Sequence, residues 1–257
     1  MADETPIIEI RNAHKRYGDF EAVRNLDLTV PRGEIYALLG PNGAGKTTTI
    51  RMLMGILQPS EGRLRIDGRD CFRERVDVMR RVGYLPDDPV FYDYLKGREV
   101  IQFTGEMHGL DGRSVRRAAD PLIERFGLGD ALEEFAANYS RGMKKRLGII
   151  CALLHAPSLL ILDEPTNGLD PYATRIMRDL VREQADGGVS VFFSTHLLDQ
   201  AEKLSPRVGI LYRGALAAEG RLQALRETRA QDASLEEIFF SVTAGETGEE
   251  GEAPSEA

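Results

Sequence analysis

A glycine-rich segment directly after an apolar run constrains this 257-residue chain more than any other feature. The segment, Gly40-Pro41-Asn42-Gly43-Ala44-Gly45-Lys46-Thr47, matches G-x-x-x-x-G-K-[ST] at every fixed position. The run before it, Ile35 to Leu39, predicts a strand buried on both faces. The apolar spacing after it predicts a helix over 47–57. A phosphate-binding loop requires a buried strand before it and a helix after it, whereas a glycine-rich turn that arose by chance would need neither.

The residue types of this loop suit a nucleoside triphosphate. Glycines let the backbone turn its N–H groups toward an anion without obstruction by a Cβ atom, and the positive end of the following helix adds to the attraction. Lys46 would reach the β- and γ-phosphates, and the Thr47 hydroxyl would bind Mg²⁺. We therefore expect ATP and Mg²⁺ as cofactors.

Two carboxylates follow a second apolar run, Leu159 to Leu162, and mark the end of another predicted strand. Ligands bind at the carboxyl ends of strands in open α/β sheets. Asp163 would hold Mg²⁺, and Glu164 would accept a proton from the attacking water or orient it. Acidic pairs after strands often only cap the next helix, so the phosphate loop is what makes this pair informative.

His196 follows a further predicted strand over 189–194. A single histidine is usually a surface or packed residue. Because the chain also carries the other motifs, we expect this strand-end histidine to contact the γ-phosphate.

Charge and composition narrow the function classes. The net charge is −8, but residues 245–257 hold five glutamates and no basic residue, and without them 33 basic and 36 acidic residues leave −3. This lacks the basic excess of a nucleic-acid binder. Cys151 is expected in the core and Cys71 could be a surface thiol; two distant cysteines give no metal-binding spacing. The most apolar stretch, 147–162, is too short and interrupted to span a membrane.

With these motifs assembled, the chain resembles the nucleotide-binding subunit of ATP-binding cassette (ABC) transporters over roughly residues 5–225. The resemblance identifies residues 40–48, including Thr48, as the Walker A loop. It identifies Asp163 and Glu164 as Walker B with its catalytic glutamate, 167–170 as the D-loop and His196 as the switch histidine. Tyr17 matches the aromatic residue that stacks on adenine, although beside Gly18 it is equally typical of an exposed turn.

The family's signature motif, usually Leu-Ser-Gly-Gly-Gln, departs from its pattern here: the chain has Tyr139-Ser140-Arg141-Gly142-Met143. Ser140 can cap the helix that begins at Arg141, and Gly142 leaves its N–H open to an anion. The resemblance implies that Ser140 and Gly142 face the ATP of the opposite subunit. The alternative is an ordinary capped helix with a basic face.

A second departure lies at the Q-loop, where Asp87 stands in place of the usual glutamine. Its carboxylate could reach Mg²⁺ but would add a negative charge beside the triphosphate. Both departures resemble the drug and antibiotic exporter branch, whose ATPase subunits pair with a separately encoded permease.

The resemblance and the strand and helix patterns together predict a P-loop NTPase α/β fold. It would contain a mostly parallel sheet, an antiparallel β subdomain near the N-terminus and an inserted helical subdomain over about 88–157. We expect an ABC ATPase domain over 1–225, a C-terminal extension over 226–244 and a disordered acidic tail over 245–257.

The resemblance also implies partners. Two ATPase subunits would form a homodimer around two ATP molecules, peripheral at the cytoplasmic face of the cell membrane, on an integral membrane permease. Neither nucleic acid nor a transmembrane segment of the chain's own is expected. Phe91, Tyr92 and Tyr94 would contact the permease or pack within the helical insert.

Two other function classes compete with a transporter motor. A soluble ABC-type ATPase of translation or DNA repair would usually carry two cassettes, or long coiled-coil or metal-binding insertions, which this chain does not have. A purely regulatory ATP-binding module would be expected to lose Lys46 or Glu164, and both are present.

Overall fold

The structure, a computed structural model, describes residues 5–227 and 234–244. In these residues the strands form two sheets. The smaller sheet has the order β2-β1-β4-β5 and is antiparallel throughout. Its strands are β1 (Ile8–Tyr17), β2 (Phe20–Val30), β4 (Glu61–Ile66) and β5 (Arg69–Asp70).

The larger sheet has six strands in the order β10-β9-β3-β8-β7-β6. All neighbours are parallel except β10, which pairs antiparallel with β9. The strands are β3 (Ile35–Leu39), β6 (Val82–Leu85), β7 (Leu159–Asp163), β8 (Ser190–Thr195), β9 (Arg207–Tyr212) and β10 (Ala215–Arg221).

Along the chain, the helices of the described residues alternate with the strands of this sheet. Three of them, together with two 3₁₀ turns, occur between β6 and β7: α3 (Gly97–Met107), α4 (Gly112–Phe126) and α5 (Arg141–Leu153). The others are α1 (Lys46–Leu53), α2 (Arg75–Met79), α6 (Pro171–Asp186), α7 (Leu198–Leu204), α8 (Leu222–Glu227) and α9 (Leu235–Ala244). The predicted fold class is confirmed, whereas the proposed domain boundaries remain predictions.

Strand β3 is apolar on both faces because both faces are buried. Alternate side chains enter two hydrophobic cores: Ile35, Ala37 and Leu39 pack on one side of the sheet, and Tyr36 and Leu38 on the other. The first core joins the sheet to α3–α6, and the second joins it to α1 and the antiparallel sheet. Each large side chain buried in this way contributes roughly 1.5–3 kcal/mol.

Two predictions from sequence were wrong in detail. Helix α1 ends at Leu53 instead of 57, because Gly55 adopts a positive φ of 61° against the Cys71 carbonyl, where a Cβ atom would approach to 2.2 Å. The same packing buries Cys71, which is 1% exposed and is therefore not a surface thiol.

The C-terminal part of the chain is only partly described. Leu235 and Ile238 of α9 are buried in the first core. The predicted disordered tail, residues 245–257, lies outside the described residues. Of the helices in residues 5–227 and 234–244, none combines the length and the hydropathy needed to cross a membrane.

Candidate functional site

The strand order brings the predicted site residues to one edge of the large sheet. Strands β3, β8, β7 and β6 are neighbours and run parallel. Gly40, His196, Asp163 and Asp87 lie at or just beyond their carboxyl ends. Segments as far apart in sequence as 40 and 196 therefore meet at this one edge of the sheet.

The loop between β3 and α1 requires glycine at two points. At Gly40 a Cβ atom would lie 2.3 Å from the Leu211 carbonyl oxygen, and at Gly45 it would lie 2.5 Å from that of Ala22. Gly45 also has a φ of 105° and directly precedes α1, so the helix begins at Lys46 inside the loop motif. The backbone of the loop is thereby held close to the neighbouring strands.

Most of the predicted nucleotide-binding residues line one cleft. Its walls are the loop residues 41–48 together with Tyr17, Phe20, Ala22, Asp87 and Glu164. Asp163 does not line the cleft, because it is buried at the end of β7 and only 1% exposed. His196 does not line the cleft either, but it contacts Glu164, which does. Ser140 and Gly142 are not among the residues that line it.

Lys46, Glu164 and His196 form a chain of charged and polar contacts. The Lys46 ammonium donates to the Gly40 carbonyl at 2.7 Å and lies 3.4 Å from Glu164 Oε1. The other Glu164 oxygen, Oε2, lies 3.1 Å from His196 Nδ1. Glu164 has a φ of 46°, a left-handed conformation that is uncommon for a side chain of its size.

Asp163 is held by hydroxyl groups at the end of β7. Ser194 Oγ donates to its Oδ1 at 2.5 Å, and the Thr47 hydroxyl lies near the same carboxylate. Burial raises the pKa of Asp163, while the interactions with the Ser194 and Thr47 hydroxyls act in the opposite direction. Ser194 Oγ also accepts from the Glu164 N–H at 3.1 Å, so one hydroxyl connects both strand-end carboxylates.

Sequence reasoning missed Ser194 and Phe20. Ser194 ends the apolar run Val191 to Phe193, and a polar residue at the buried end of a strand was the available signal. Phe20 faces Tyr17 across the tight β1–β2 turn. Tyr17 is 48% exposed and Phe20 63% exposed, so both rings remain accessible at the cleft.

The signature segment has the predicted capping geometry. Ser140 Oγ accepts from the Met143 N–H at 3.2 Å, which satisfies one of the free donors at the start of α5. Asp87 is connected to this helix because its carboxylate accepts hydrogen bonds from Arg141, Lys145 and, beyond the helix, Asn167. Burial lowers the pKa of Lys145, and the charge of Asp87 opposes that shift.

Comparison with known proteins decides the family. The sequence profile of the family described as "ABC transporter" matches residues 23–167, more than half of the chain. The chain belongs to the ABC transporter family. It is therefore an ATP-binding and ATP-hydrolysing subunit of such a transporter, and the alternative of a soluble ABC-type ATPase is not favoured.

Similar proteins agree with this assignment. The daunorubicin resistance ATP-binding protein DrrA3 of Streptomyces coeruleorubidus is 40% identical, covering 90% of this chain and 73% of its own length. The bacitracin transport ATP-binding protein BcrA of Bacillus licheniformis is 41% identical, covering 83% and 69%. A solved ATP-binding subunit of an ABC transporter, 33% identical, superimposes with a TM-score of 0.87 over 92% of this chain and 99% of the other.

Proposed function

We propose that this chain is the ATPase subunit of a drug or antibiotic exporter and powers a separately encoded integral membrane permease. The observation that carries the proposal is the naming of two relatives, 40% and 41% identical, for daunorubicin resistance and bacitracin transport. In this proposal the permease holds the chain at the cytoplasmic face of the cell membrane.

ATP is proposed to bind along the loop 40–48, with its adenine on Tyr17. Thr47 and Asp163 would hold Mg²⁺, whereas the carboxylate of Asp87, the third metal ligand predicted from sequence, is engaged by Arg141, Lys145 and Asn167. Thr47 and Asp163 fit the metal because they are oxygen donors, and the Asp163 carboxylate is buried beside two hydroxyls. When bound, the metal would neutralise negative charge on the β- and γ-phosphate oxygens.

Glu164 is the proposed catalytic base. Lys46 contacts both Glu164 and the Gly40 carbonyl in this structure, so its ammonium competes for the carboxylate. A triphosphate offers Lys46 stronger anionic partners. Its binding would free one oxygen of Glu164 to orient the attacking water, while His196 would hold the other and contact the γ-phosphate.

A homodimer is proposed to complete each site. Ser140 and Gly142 begin a 13-residue helix but do not line the cleft of their own chain. The first turn of such a helix attracts anions. Two copies arranged head to tail would place this turn on the γ-phosphate bound by the other copy, and hydrolysis would remove that attraction and open the dimer.

The permease would dock beside the cleft, on a groove of α3 and the segment before it. Val90, Tyr92 and Tyr94 are 84%, 55% and 72% exposed, and Phe103 is also accessible. Phe91 is half-buried and packs against the first core. Of the three aromatic residues singled out from sequence, Tyr92 and Tyr94 are therefore available to a partner.

Co-purification tests the transporter assignment. The tagged chain, expressed with the membrane protein encoded beside it, should retain that protein after detergent solubilisation. The double variant Tyr92→Ala/Tyr94→Ala should lose most of it. The control Phe72→Ala, which changes an exposed aromatic residue outside that groove, should not. Recovery with ribosomes or DNA in place of a membrane protein would contradict the proposal.

A further inference from the structure

Asp87 is held by side chains from two other segments of the chain. All three contacts converge on Oδ1: Arg141 Nη2 at 3.2 Å, Lys145 Nζ at 3.3 Å and Asn167 Nδ2 at 3.1 Å. Arg141 and Lys145 lie on the first two turns of α5, and Asn167 lies in the loop after β7. One carboxylate therefore connects the loop after β6 to the signature helix and the D-loop.

The buried ammonium of Lys145 requires a negatively charged partner, and Asp87 provides it. The Lys145 side chain has no exposed surface, yet its ammonium donates to the carbonyl oxygens of Asp87 at 2.6 Å, Pro86 at 3.4 Å and Asp163 at 3.4 Å. Among the ion pairs of residues 5–227 and 234–244, Asp87 is its only carboxylate partner. A buried ammonium without an opposite charge is strongly unfavourable, so Asp87 serves as its counter-ion.

Arg141 fixes the other side of the cluster. Its aliphatic stem packs over Gly168, where a Cβ atom would lie 3.1 Å from Arg141 Cδ. Gly168 has a φ of 78°, so both its conformation and this contact favour glycine. The guanidinium then reaches Asp87 across 54 residues of sequence. The two departures from the usual family pattern, an acid at 87 and a base at 141, are therefore in direct contact.

We propose that Asp87, Arg141 and Lys145 act together as positioning residues that set the first turn of α5 relative to the nucleotide cleft of the same chain. The cluster neutralises the charge that an aspartate at the Q-loop position would otherwise bring beside the triphosphate. Asp87 then acts through α5 and not as a ligand of Mg²⁺. The inference rests on the proposed role of Ser140 and Gly142 toward the ATP of a second copy.

A double-mutant cycle on the full chain tests the cluster. The variants are Asp87→Gln, Lys145→Gln and their combination, together with Arg141→Gly in the parent and in Asp87→Gln. Asp87→Gln alone should lower kcat about tenfold and change KM for ATP less than about twofold, and adding Lys145→Gln should restore kcat to within about threefold of the parent. Arg141→Gly should lower kcat about threefold in the parent and have no further effect once Asp87 is glutamine.

Amide hydrogen exchange gives a readout that needs neither nucleotide nor magnesium. Residues 141–146 should exchange faster in Asp87→Gln and slow again in the combined variant. The first turn of α6, residues 171–174, is the internal control and should not change. Because Arg141 is half-exposed, its arm of the cycle remains interpretable if substitution of the buried Lys145 prevents folding.

Two results would overturn the inference. Single effects that simply multiply in the combined variants would show that the residues act independently. A roughly tenfold rise in the Mg²⁺ concentration for half-maximal activity in Asp87→Gln, without rescue by Lys145→Gln, would make Asp87 a metal ligand instead. The cycle measures coupling between residues of the same chain. A negative result would therefore contradict the proposed cluster without contradicting nucleotide-dependent dimerisation, which is measured separately.

Discussion

Ser194 illustrates how single atoms set the chemistry at the sheet edge. Its hydroxyl donates to the buried Asp163 carboxylate and accepts from the backbone N–H of Glu164. The left-handed conformation of Glu164 is therefore stabilised by the next strand and not by local sequence. A small change at this hydroxyl should affect both carboxylates.

We expect Ser194→Ala to lower the stability of the chain and its ATPase rate together. Loss of a buried hydroxyl that satisfies two partners costs about 1–3 kcal/mol. Ser205→Ala is the matched control, because that hydroxyl is also buried but donates to the Ile35 and Arg207 carbonyls away from the cleft. Both variants should show a lower Tm, and only Ser194→Ala a clearly lower kcat. An unchanged kcat in Ser194→Ala would contradict this role.

Tyr17 gives a second prediction at this scale. If its ring stacks on adenine, Tyr17→Ala should weaken ATP binding about tenfold, and Tyr17→Phe should have little effect. Titration calorimetry with ATP in the Glu164→Gln background measures this without hydrolysis. Normal affinity in Tyr17→Ala combined with weak binding in Phe20→Ala would assign the stacking to Phe20.

Residues linked through local sequence were predictable, and residues linked through space were not. The loop motif located Lys46 and Thr47, because its spacing and its flanks lie within about 20 residues of sequence. Arg141 meets Asp87 across 54 residues of sequence through the packing of α5, a relation with no local signature. Phe20 is the exception, because it was missed although it lies only three residues after Tyr17, across the β1–β2 turn.

The elements show the same division. The strand over 35–39 was predicted with its observed bounds, because a run buried on both faces needs no knowledge of its neighbours. The end of α1 was predicted at residue 57, four residues too late, because the close approach of Gly55 to the Cys71 carbonyl belongs to tertiary structure. Helix ends are where packing most easily overrides apolar periodicity.

A histidine stack connects two elements of the helical insert. His108, at the end of α3, and His155, after α5, lie with ring centroids 3.7 Å apart and nearly parallel planes. Burial lowers the pKa of His155 to about 4, with His108 adding to the shift and the Val82 carbonyl opposing it. Burial also lowers the pKa of His108.

This stack predicts that the folded chain loses stability in mild acid. The folded-state pKa of His155 lies below its ordinary value, so the unfolded chain takes up protons first as the pH falls. The stability is fully present above about pH 6.5 and decreases toward pH 4, by roughly 1–2 kcal/mol after allowance for partial exposure. Denaturant unfolding across this range measures the loss.

His155→Gln should flatten this part of the pH profile. His14→Gln is the control because His14 lies on the antiparallel sheet, away from the stack, and it should leave the decrease in place. A profile that is unchanged in His155→Gln would show that other groups cause the acid sensitivity.

At the scale of the whole molecule, the chain presents two anion-attracting helix starts that do not meet. One is the loop before α1, which lines the cleft, and the other is the capped start of α5, which does not. The sequence motifs predicted both helix starts, and the resemblance to the family implied that they serve the ATP sites of different subunits. In the proposed head-to-tail dimer, the start of α5 in one chain would complete the nucleotide site of the other.

ATP-dependent dimerisation of Glu164→Gln is the most direct measurement of this account. The variant should hydrolyse ATP at least about a hundredfold more slowly than the parent and, with ATP and Mg²⁺, elute as a dimer on size exclusion. Adding Lys46→Ala should abolish the dimer by removing the phosphate contact. A Glu164→Gln chain that stays monomeric with ATP and hydrolyses it at the parental rate would contradict the two-chain site.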